Sequence, residues 1–176
     1  MATLDDLATA LNGESTACAK YLAFAKKANE EGYAAVASLF RAAAAAEQIH
    51  AKNHAQVLRS LGGTAEVEVG TFTVGTTREN LAVAIQGETY ERDVMYPTFI
   101  KNAEGNKQAT RTFSWALETE VEHAKLYQQA ADNLEAWRNG KRRFWICQTC
   151  GYTMSQAPDA NCRVCSAKKE KFQVVD

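Results

Sequence analysis

Apolar residues recur at the spacing of an α-helix in four long stretches of the sequence. In the first stretch, residues 4–31, the apolar stripe consists of Leu4, Leu7, Leu11, Cys18, Leu22 and Ala25. Three further stretches cover residues 33–61, 78–104 and 107–138, and glycines follow the first two stretches and separate the last two. The pattern therefore predicts four long helices.

The ends and interiors of these helices carry additional signals. Thr3 and Thr77 are candidate N-caps, and Pro97 predicts a kink inside the third helix. Residues 63–76, between the second and third helices, combine β-branched residues with glycines, which predicts a long and partly extended connection. Four helices with one long crossover are typical of an all-α four-helix bundle of the ferritin-like type.

The end of the chain differs from the rest in charge and in cysteine content. Residues 1–140 carry 13 Lys and Arg against 18 Asp and Glu, whereas residues 141–176 carry 7 against 3. Four of the 5 cysteines also lie in this basic segment. We therefore expect a bundle over residues 1–140 and a small, metal-held β/loop domain over residues 141–176.

Composition and charge exclude several classes of protein. With 46% hydrophobic residues and 2 prolines, the chain is neither disordered nor collagen-like. The net charge of −1 gives no reason to expect nucleic acid as a partner. The acidic start does not resemble a signal peptide, and no stretch approaches the roughly 18 apolar residues of a membrane span. We expect a cytoplasmic protein with reduced thiols that binds no membrane.

A glutamate–histidine motif occurs twice in the sequence. Glu47-x-x-His50, on the second predicted helix, returns 73 residues later as Glu120-x-x-His123 on the fourth. Residues three apart lie on one face of a helix, so each pair can chelate one metal ion. The alternative is solvated surface charge. The alanine-rich surroundings of Glu47 argue against it, because a buried carboxylate without a partner is costly.

The other two helices repeat a single glutamate at nearly the same offset. Gly-Glu-Ser at residues 13–15 returns as Gly-Glu-Thr at residues 87–89. The two helical hairpins therefore look like copies of each other. Glu14 and Glu88, together with the two Glu-x-x-His motifs, complete the pattern of a di-iron or di-manganese carboxylate bundle.

Glu91 adds a fifth carboxylate and breaks the repeat. It lies three residues after Glu88, whereas the equivalent position in the first half is Ala17. Four carboxylates balance two divalent ions, and a more oxidised pair favours a fifth anionic ligand. We hypothesise that Glu91 and a neutral His50 are alternative ligands of one ion, selected by its oxidation state. Pairing of Glu91 with Arg92 at the surface is the alternative.

Two tyrosines follow the single glutamates by about two helical turns. Tyr21 is seven residues after Glu14, and Tyr96 is eight residues after Glu88. Both are candidate catalytic residues that donate hydrogen bonds beside the metals, with ordinary core packing as the alternative. His54 lies four residues after the first motif histidine. A position beside the metal ligands is the alternative, but we expect it at the surface or in an interface.

Two Cys-x-x-Cys pairs form the strongest single signal in the chain. Cys147, Cys150, Cys162 and Cys165 have the spacing of one tetrahedral four-thiolate site. Zinc and a single iron ion both fit this geometry. Neighbouring aromatic residues suit a redox iron because they limit solvent access. From the motif itself, a zinc ribbon and a redox iron site both stay open.

Taken together, these motifs resemble the rubrerythrin family over essentially the whole chain. In that family a ferritin-like di-iron bundle precedes a rubredoxin-like Fe(Cys)4 domain. All of the family's ligand positions are matched here, by Glu14, Glu47, His50, Glu88, Glu91, Glu120, His123, Cys147, Cys150, Cys162 and Cys165. The resemblance implies that Glu47 and Glu120 bridge the two irons, and that one iron moves between His50 and Glu91 with redox state.

The resemblance also implies an activity. Such a protein is a non-haem di-iron peroxidase that reduces hydrogen peroxide to water in oxidative-stress defence, usually as a homodimer. Its electrons pass through the Fe(Cys)4 centre from an NAD(P)H-linked reductase or a small redox protein. Arg163 and Ser166 stand where the family commonly has proline and glycine, which leaves the redox potential of that centre open.

Two other functions compete with this reading. One is iron handling, as a ferroxidase or a store, but a store needs a cage and no electron relay. The other is a non-enzymatic zinc ribbon on a helical scaffold. The fifth carboxylate and the cysteine-rich end of the chain favour the peroxidase.

Overall fold

The computed structural model describes residues 2–176. It contains the helices α1 Ala2–Glu30, α2 Ala34–Ser60, α3 Thr77–Tyr90, α4 Tyr96–Asn102 and α5 Lys107–Asp132. A π-helical turn joins α3 to α4, so these two helices together form the third helix of a four-helix bundle. The predicted all-α bundle with one long crossover is confirmed. Within residues 2–176, no helix combines the length and apolar character needed to cross a bilayer.

Both predicted N-caps are wrong, the second by one residue. α1 begins before Thr3, whose hydroxyl instead donates a hydrogen bond to the carbonyl of Asn102 at 3.3 Å. The cap of α3 is Thr76 rather than Thr77. The Thr76 hydroxyl accepts from the backbone N–H of Glu79, and the Glu79 carboxylate accepts from the backbone N–H of Thr76. The glutamate three residues after Thr76 is the sequence signal for this reciprocal arrangement.

The third helix is irregular just before Pro97. Residues Glu91–Met95 form one π-helical turn, in which the backbone N–H of Tyr96 donates to the carbonyl of Glu91, five residues back. Proline has no backbone N–H and cannot continue the ordinary ladder, and a π turn accommodates one extra residue. This insertion explains why Tyr96 follows Glu88 by eight residues, whereas the corresponding pair on α1 is seven residues apart.

The long crossover runs along α1 without forming a strand. The backbone N–H of Glu68 donates to the Asn12 side chain at 2.9 Å, and that of Gly70 donates to the Thr16 hydroxyl at 2.9 Å. Side chains of α1 thus satisfy backbone donors that a second strand would otherwise satisfy. The connection is thereby fastened to the helix that carries Glu14.

The C-terminal segment forms a small antiparallel sheet with the strand order β2-β1-β3. Its strands are β1 Phe144–Cys147, β2 Thr153–Met154 and β3 Phe172–Val175. Phe144 and Ile146 are buried in the same apolar cluster as α1, α2 and α5. The sheet therefore packs on the bundle of its own chain.

The apolar core of the bundle consists of two clusters. One is built around the stacked and tilted rings of Tyr21, Phe24, Phe40 and Tyr127. The other contains Leu7, Leu11, Tyr96, Phe99 and Phe113. The motif glutamates and histidines belong to neither cluster, and they are buried all the same.

Candidate metal centres

Every helix of the bundle contributes a motif side chain to one buried polar group. α1 supplies a glutamate, α2 and α5 each supply a glutamate and a histidine, and α3 supplies a glutamate. All six side chains are at most 1% exposed: Glu14, Glu47, His50, Glu88, Glu120 and His123. The helical spacing that suggested a shared face therefore brings them together in space.

The six side chains divide into two overlapping groups whose ligand atoms lie within 4.8 Å of one another. The first group is Glu14, Glu47, His50 and Glu120, and the second is Glu47, Glu88, Glu120 and His123. His50 Nδ1 lies 2.9 Å from Glu47 Oε2, and His123 Nδ1 lies 3.1 Å from Glu120 Oε2. Glu47 and Glu120 belong to both groups, which is the placement that bridging ligands require.

Many polar atoms of this cluster make no aligned hydrogen bond, although His50 and His123 lie within ion-pair distance of the carboxylates. Both carboxylate oxygens of Glu47 and Glu120 are buried and unpartnered, as are one oxygen of Glu14, one of Glu88 and both ring nitrogens of His50. Leaving so many buried polar atoms unpaired is very costly, and native proteins avoid it. Cations at the two groups would satisfy them, so the residues present fit a pair of metal ions.

The electrostatics of the cluster point the same way. Burial, and then the charge of Glu47, raise the pKa of Glu14 and bring the pKa of Glu88 to about 8. Burial acts to lower the pKa of His50 and His123, but the surrounding carboxylates outweigh it and raise both values. Without metal the cluster therefore holds protons, which metal binding must displace.

Glu91 lies outside both groups. It is partly buried and lines a surface cavity of about 490 Å³ together with Gly13 and Lys20. Burial, and then the charge of Glu14, raise the pKa of Glu91. The alternative partner Arg92 is paired with Asp93 at 2.7 Å. The structure thus has His50 inside the first group and Glu91 apart from it, and exchange between the two stays a hypothesis.

Both candidate tyrosines contact a motif glutamate. The Tyr21 hydroxyl donates to Glu88 Oε1, and the Tyr96 hydroxyl donates to Glu14 Oε1. Both rings also pack in the core, and a catalytic role for either tyrosine stays a prediction. Burial raises the pKa of both tyrosines, which keeps them protonated as donors.

The expectation for His54 is wrong. The side chain is fully buried, with Nε2 3.2 Å from the Tyr96 hydroxyl and Nδ1 3.1 Å from the Thr112 hydroxyl. Burial lowers the pKa of His54 to about 3, so its ring is neutral. Its position one helical turn after His50 was the available signal. Nothing in the sequence pointed to Thr112.

The four C-terminal cysteines also come together. The Sγ atoms of Cys147 and Cys165, and those of Cys150 and Cys162, are 3.6 Å apart, and all four lie within 4.8 Å of one another. A metal–sulfur bond of about 2.3 Å in a tetrahedron places sulfurs about 3.8 Å apart. A hydrogen bond from Cys150 lowers the pKa of Cys147 to about 5. The four thiols therefore fit one ion.

The first cysteine knuckle lies directly on the motif histidines. Gly151 has φ +86°, and a Cβ added there would lie 2.6 Å from His50 Cδ2 and collide with His50 Nε2. The hydroxyl of Thr153 lies 3.0 Å from His123 Nε2. Sequence reasoning missed Thr153, because the contact joins segments 30 residues apart. The cysteine site and the carboxylate cluster are thus neighbours within one chain.

Comparison with known proteins agrees with this architecture. The sequence model of the rubrerythrin family matches residues 5–131, and that of the rubrerythrin rubredoxin-like domain matches residues 145–173. The chain belongs to the rubrerythrin family. The family has a di-iron site and a rubredoxin-like Fe(Cys)4 site, and the two side-chain groups and the four cysteines fit these cofactors.

Relatives within the rubrerythrin family span nearly the whole chain. Rubrerythrin-2 of Clostridium acetobutylicum is 38% identical and covers 97% of this chain and 95% of the relative. Nigerythrin of Nitratidesulfovibrio vulgaris is also 38% identical, over 97% of this chain and 85% of the relative. The structure of fully reduced, all-ferrous nigerythrin superposes with a TM-score of 0.88 at 36% identity, covering 98% of this chain and 86% of that one.

A more distant likeness concerns the bundle. The bacterioferritin of Desulfovibrio desulfuricans matches with a TM-score of 0.72 at 21% identity, over 76% of this chain and 80% of that one. At this identity the comparison shows a shared ferritin-like fold and nothing about activity.

Proposed function

We propose that this protein is a peroxidase that reduces hydrogen peroxide to water. Its electrons come through the Fe(Cys)4 site from an NAD(P)H-linked reductase or a small redox protein. The observation that carries this proposal is the contact of the first cysteine knuckle with His50 and His123. An electron relay requires two metal sites side by side, whereas an iron store has no use for one.

The residues around the carboxylate cluster suit a small oxygen-containing substrate. The cavity lined by Glu91 and Gly13 lies at the surface beside α1, next to the segment that carries Glu14, and it is the proposed entry for peroxide. The hydroxyls of Tyr21 and Tyr96 donate hydrogen bonds to Glu88 and Glu14 and so orient both carboxylates. When bound, the iron pair supplies the two-electron chemistry that cleaves the O–O bond. Overall, hydrogen peroxide takes up two electrons and two protons and leaves as two water molecules.

The test is anaerobic stopped-flow spectroscopy of the iron-loaded, fully reduced protein. We expect hydrogen peroxide to oxidise the reduced protein much faster than dioxygen does. Faster oxidation by dioxygen, accompanied by deposition of added ferrous iron, would instead identify a ferroxidase.

The oligomeric state gives a second, independent test. We propose a homodimer, and light scattering on the iron-loaded protein should give twice the mass of the 19.3 kDa chain. A 24-subunit shell would contradict the peroxidase proposal, because a shell is the architecture of a store.

A further inference from the structure

A chain of buried polar side chains leads away from the first metal group. The Tyr96 hydroxyl contacts Glu14, His54 Nε2 lies 3.2 Å from the Tyr96 hydroxyl, and Thr112 Oγ1 lies 3.1 Å from His54 Nδ1. Thr112, His54 and Tyr96 are at most 4% exposed. Three elements meet here, since the residues come from α5, α2 and α4. Neither helical packing nor metal ligation requires such a sequence of contacts.

The proton positions along this chain follow from its chemistry. The Tyr96 hydroxyl has one proton, which it donates in the hydrogen bond to the Glu14 carboxylate. Its oxygen must therefore accept the hydrogen bond from His54 Nε2–H. A neutral imidazole protonated at Nε2 has an acceptor at Nδ1, so the Thr112 hydroxyl must donate there. Every hydrogen bond therefore points inward, from Thr112 towards Glu14.

The outer end of the chain reaches solvent. Thr112 lines a surface cavity of about 400 Å³, whose other walls include the polar side chains of Asn53, Gln56 and Gln108. Such a polar cavity is suited to hold water. Water in the cavity can donate to the Thr112 hydroxyl and replace a proton that has moved inward.

The other half of the repeat lacks this connection. Tyr127 occupies the position equivalent to His54, 73 residues further along the sequence. Its hydroxyl is buried and has no hydrogen-bond partner, so the path from Glu88 and Tyr21 ends inside the core. The position equivalent to Thr112 is Leu39, which cannot donate. An inward-pointing chain thus exists on the Glu14 side alone, among the described residues of the two halves.

We propose that Thr112, His54 and Tyr96 deliver protons from solvent to the oxygen atoms released by peroxide cleavage beside Glu14. This inference rests on the proposed peroxidase function. Two electrons convert hydrogen peroxide into two hydroxide equivalents, and each needs one proton to leave as water. Tyr96 gives up its hydroxyl proton, through its contact with Glu14, to a released oxygen atom, and takes the Nε2 proton of His54. Nδ1 of His54 then takes the proton of Thr112, and Thr112 takes one from a water molecule, which leaves a hydroxide that exchanges with solvent.

The route must be reset before the second proton passes. After one transfer the His54 proton is on Nδ1, so the ring has to turn over and the two hydroxyls have to rotate.

Substitution of Thr112 removes the outer donor without touching Glu14. Thr112→Val keeps the shape of the side chain, and Thr112→Ser keeps the hydroxyl. Thr119→Val is the matched control, because Thr119 is a buried threonine of α5 whose hydroxyl donates to the backbone carbonyl of Trp115.

The first measurement does not depend on activity. In the full-length protein loaded with zinc, a diamagnetic ion, nitrogen NMR of ¹⁵N-labelled histidine reports which ring nitrogen of His54 carries the proton. We expect protonation at Nε2 in the native sequence, in Thr112→Ser and in Thr119→Val. A ring protonated at Nδ1 in the native sequence would overturn the proposal, since the chain would then point outward.

The second measurement is single-turnover oxidation of the reduced, iron-loaded protein by saturating peroxide, in H₂O and in D₂O. General acid–base groups contribute about 10²–10⁴-fold, so we expect Thr112→Val to be slower by roughly tenfold or more. It should also show an altered solvent isotope effect at unchanged iron content. Thr112→Ser and Thr119→Val should match the native protein.

If Thr112→Val keeps the rate and isotope effect of the native protein, the relay is wrong and the peroxidase proposal is unaffected. A native protein that does not react with peroxide would overturn the peroxidase, and the histidine tautomer would still decide the direction of the chain.

Discussion

The contact between Gly151 and His50 makes a specific substitution informative. Gly151→Ala places a methyl group against His50 Nε2 and 3.2 Å from the carbonyl oxygen of Ala46. Carbon atoms in contact are ordinarily about 3.5–4.0 Å apart, so the 2.6 Å approach to His50 Cδ2 requires a movement of about 1 Å. The knuckle has to move away from the bundle, because His50 is held between carboxylates.

The change has two separable costs. An alanine at φ +86° costs about 1–2 kcal/mol from backbone strain, wherever it is placed. The displacement of the knuckle adds a second effect on the relay between the two metal sites. A misplacement of about 1 Å can lower a rate about 10²-fold, and we expect donor-driven turnover to fall about tenfold. Direct oxidation of the reduced bundle by peroxide should change much less.

Gly105→Ala is the matched control. Gly105 has φ +88° and nothing within 4 Å of an added Cβ, so this variant carries the strain without the collision. The assay compares steady-state peroxide reduction, driven by a reductase, with single-turnover oxidation in both variants at equal iron content. If Gly151→Ala and Gly105→Ala lose donor-driven turnover equally, the knuckle contact plays no part in the relay.

Three further predictions concern stability and metal binding. Ser166 has φ +61°, so Ser166→Gly should raise the free energy of unfolding of the Fe(Cys)4 domain by about 1 kcal/mol. The measurement is the loss of the visible iron–thiolate absorbance on heating. Thr76→Ala removes the cap of α3 and should lower the free energy of unfolding by about 1 kcal/mol, measured in denaturant by circular dichroism. The pKa of Glu88 is about 8 without metal, so loading at pH 7 should release protons and apparent affinity should rise with pH up to about 8. An indicator dye that detects no proton release would contradict this last point.

The periodic features of the molecule could be predicted from the sequence. Helical spacing and the internal repeat place Glu47, His50, Glu120 and His123 on facing helices, and the structure brings them within one cluster. Cysteine spacing similarly identifies the four-thiol group. These features are local, since the geometry of a helix or of a knuckle turn fixes which residues share a face.

The features that the sequence did not reveal depend on contacts between distant segments. Thr112 and His54 are 58 residues apart, and Asn53 donates a hydrogen bond to the carbonyl of Thr149, 96 residues away. No periodicity relates such residues, because packing of the whole fold decides which of them meet. The expectation for His54 failed for this reason: polar residues are mostly exposed, and the partners that satisfy its buried ring, Tyr96 and Thr112, lie on other helices.

The two halves of the repeat differ most on the side of Glu14, and that difference bears on the chemistry. The π-helical turn adds one residue to the third helix, which keeps Tyr96 facing Glu14 although its spacing from Glu88 is longer than in the other half. Glu91, in the same turn, lines a surface cavity. The repeat-equivalent residue in the first half of the chain is Ala17, which has no carboxylate. A surface cavity, a fifth carboxylate and an inward-pointing hydrogen-bond chain therefore all lie on the Glu14 side of the bundle. A symmetric pair of sites would bind two ions equally well. The departures from symmetry give one of them a neighbouring surface cavity and a hydrogen-bonded connection towards solvent.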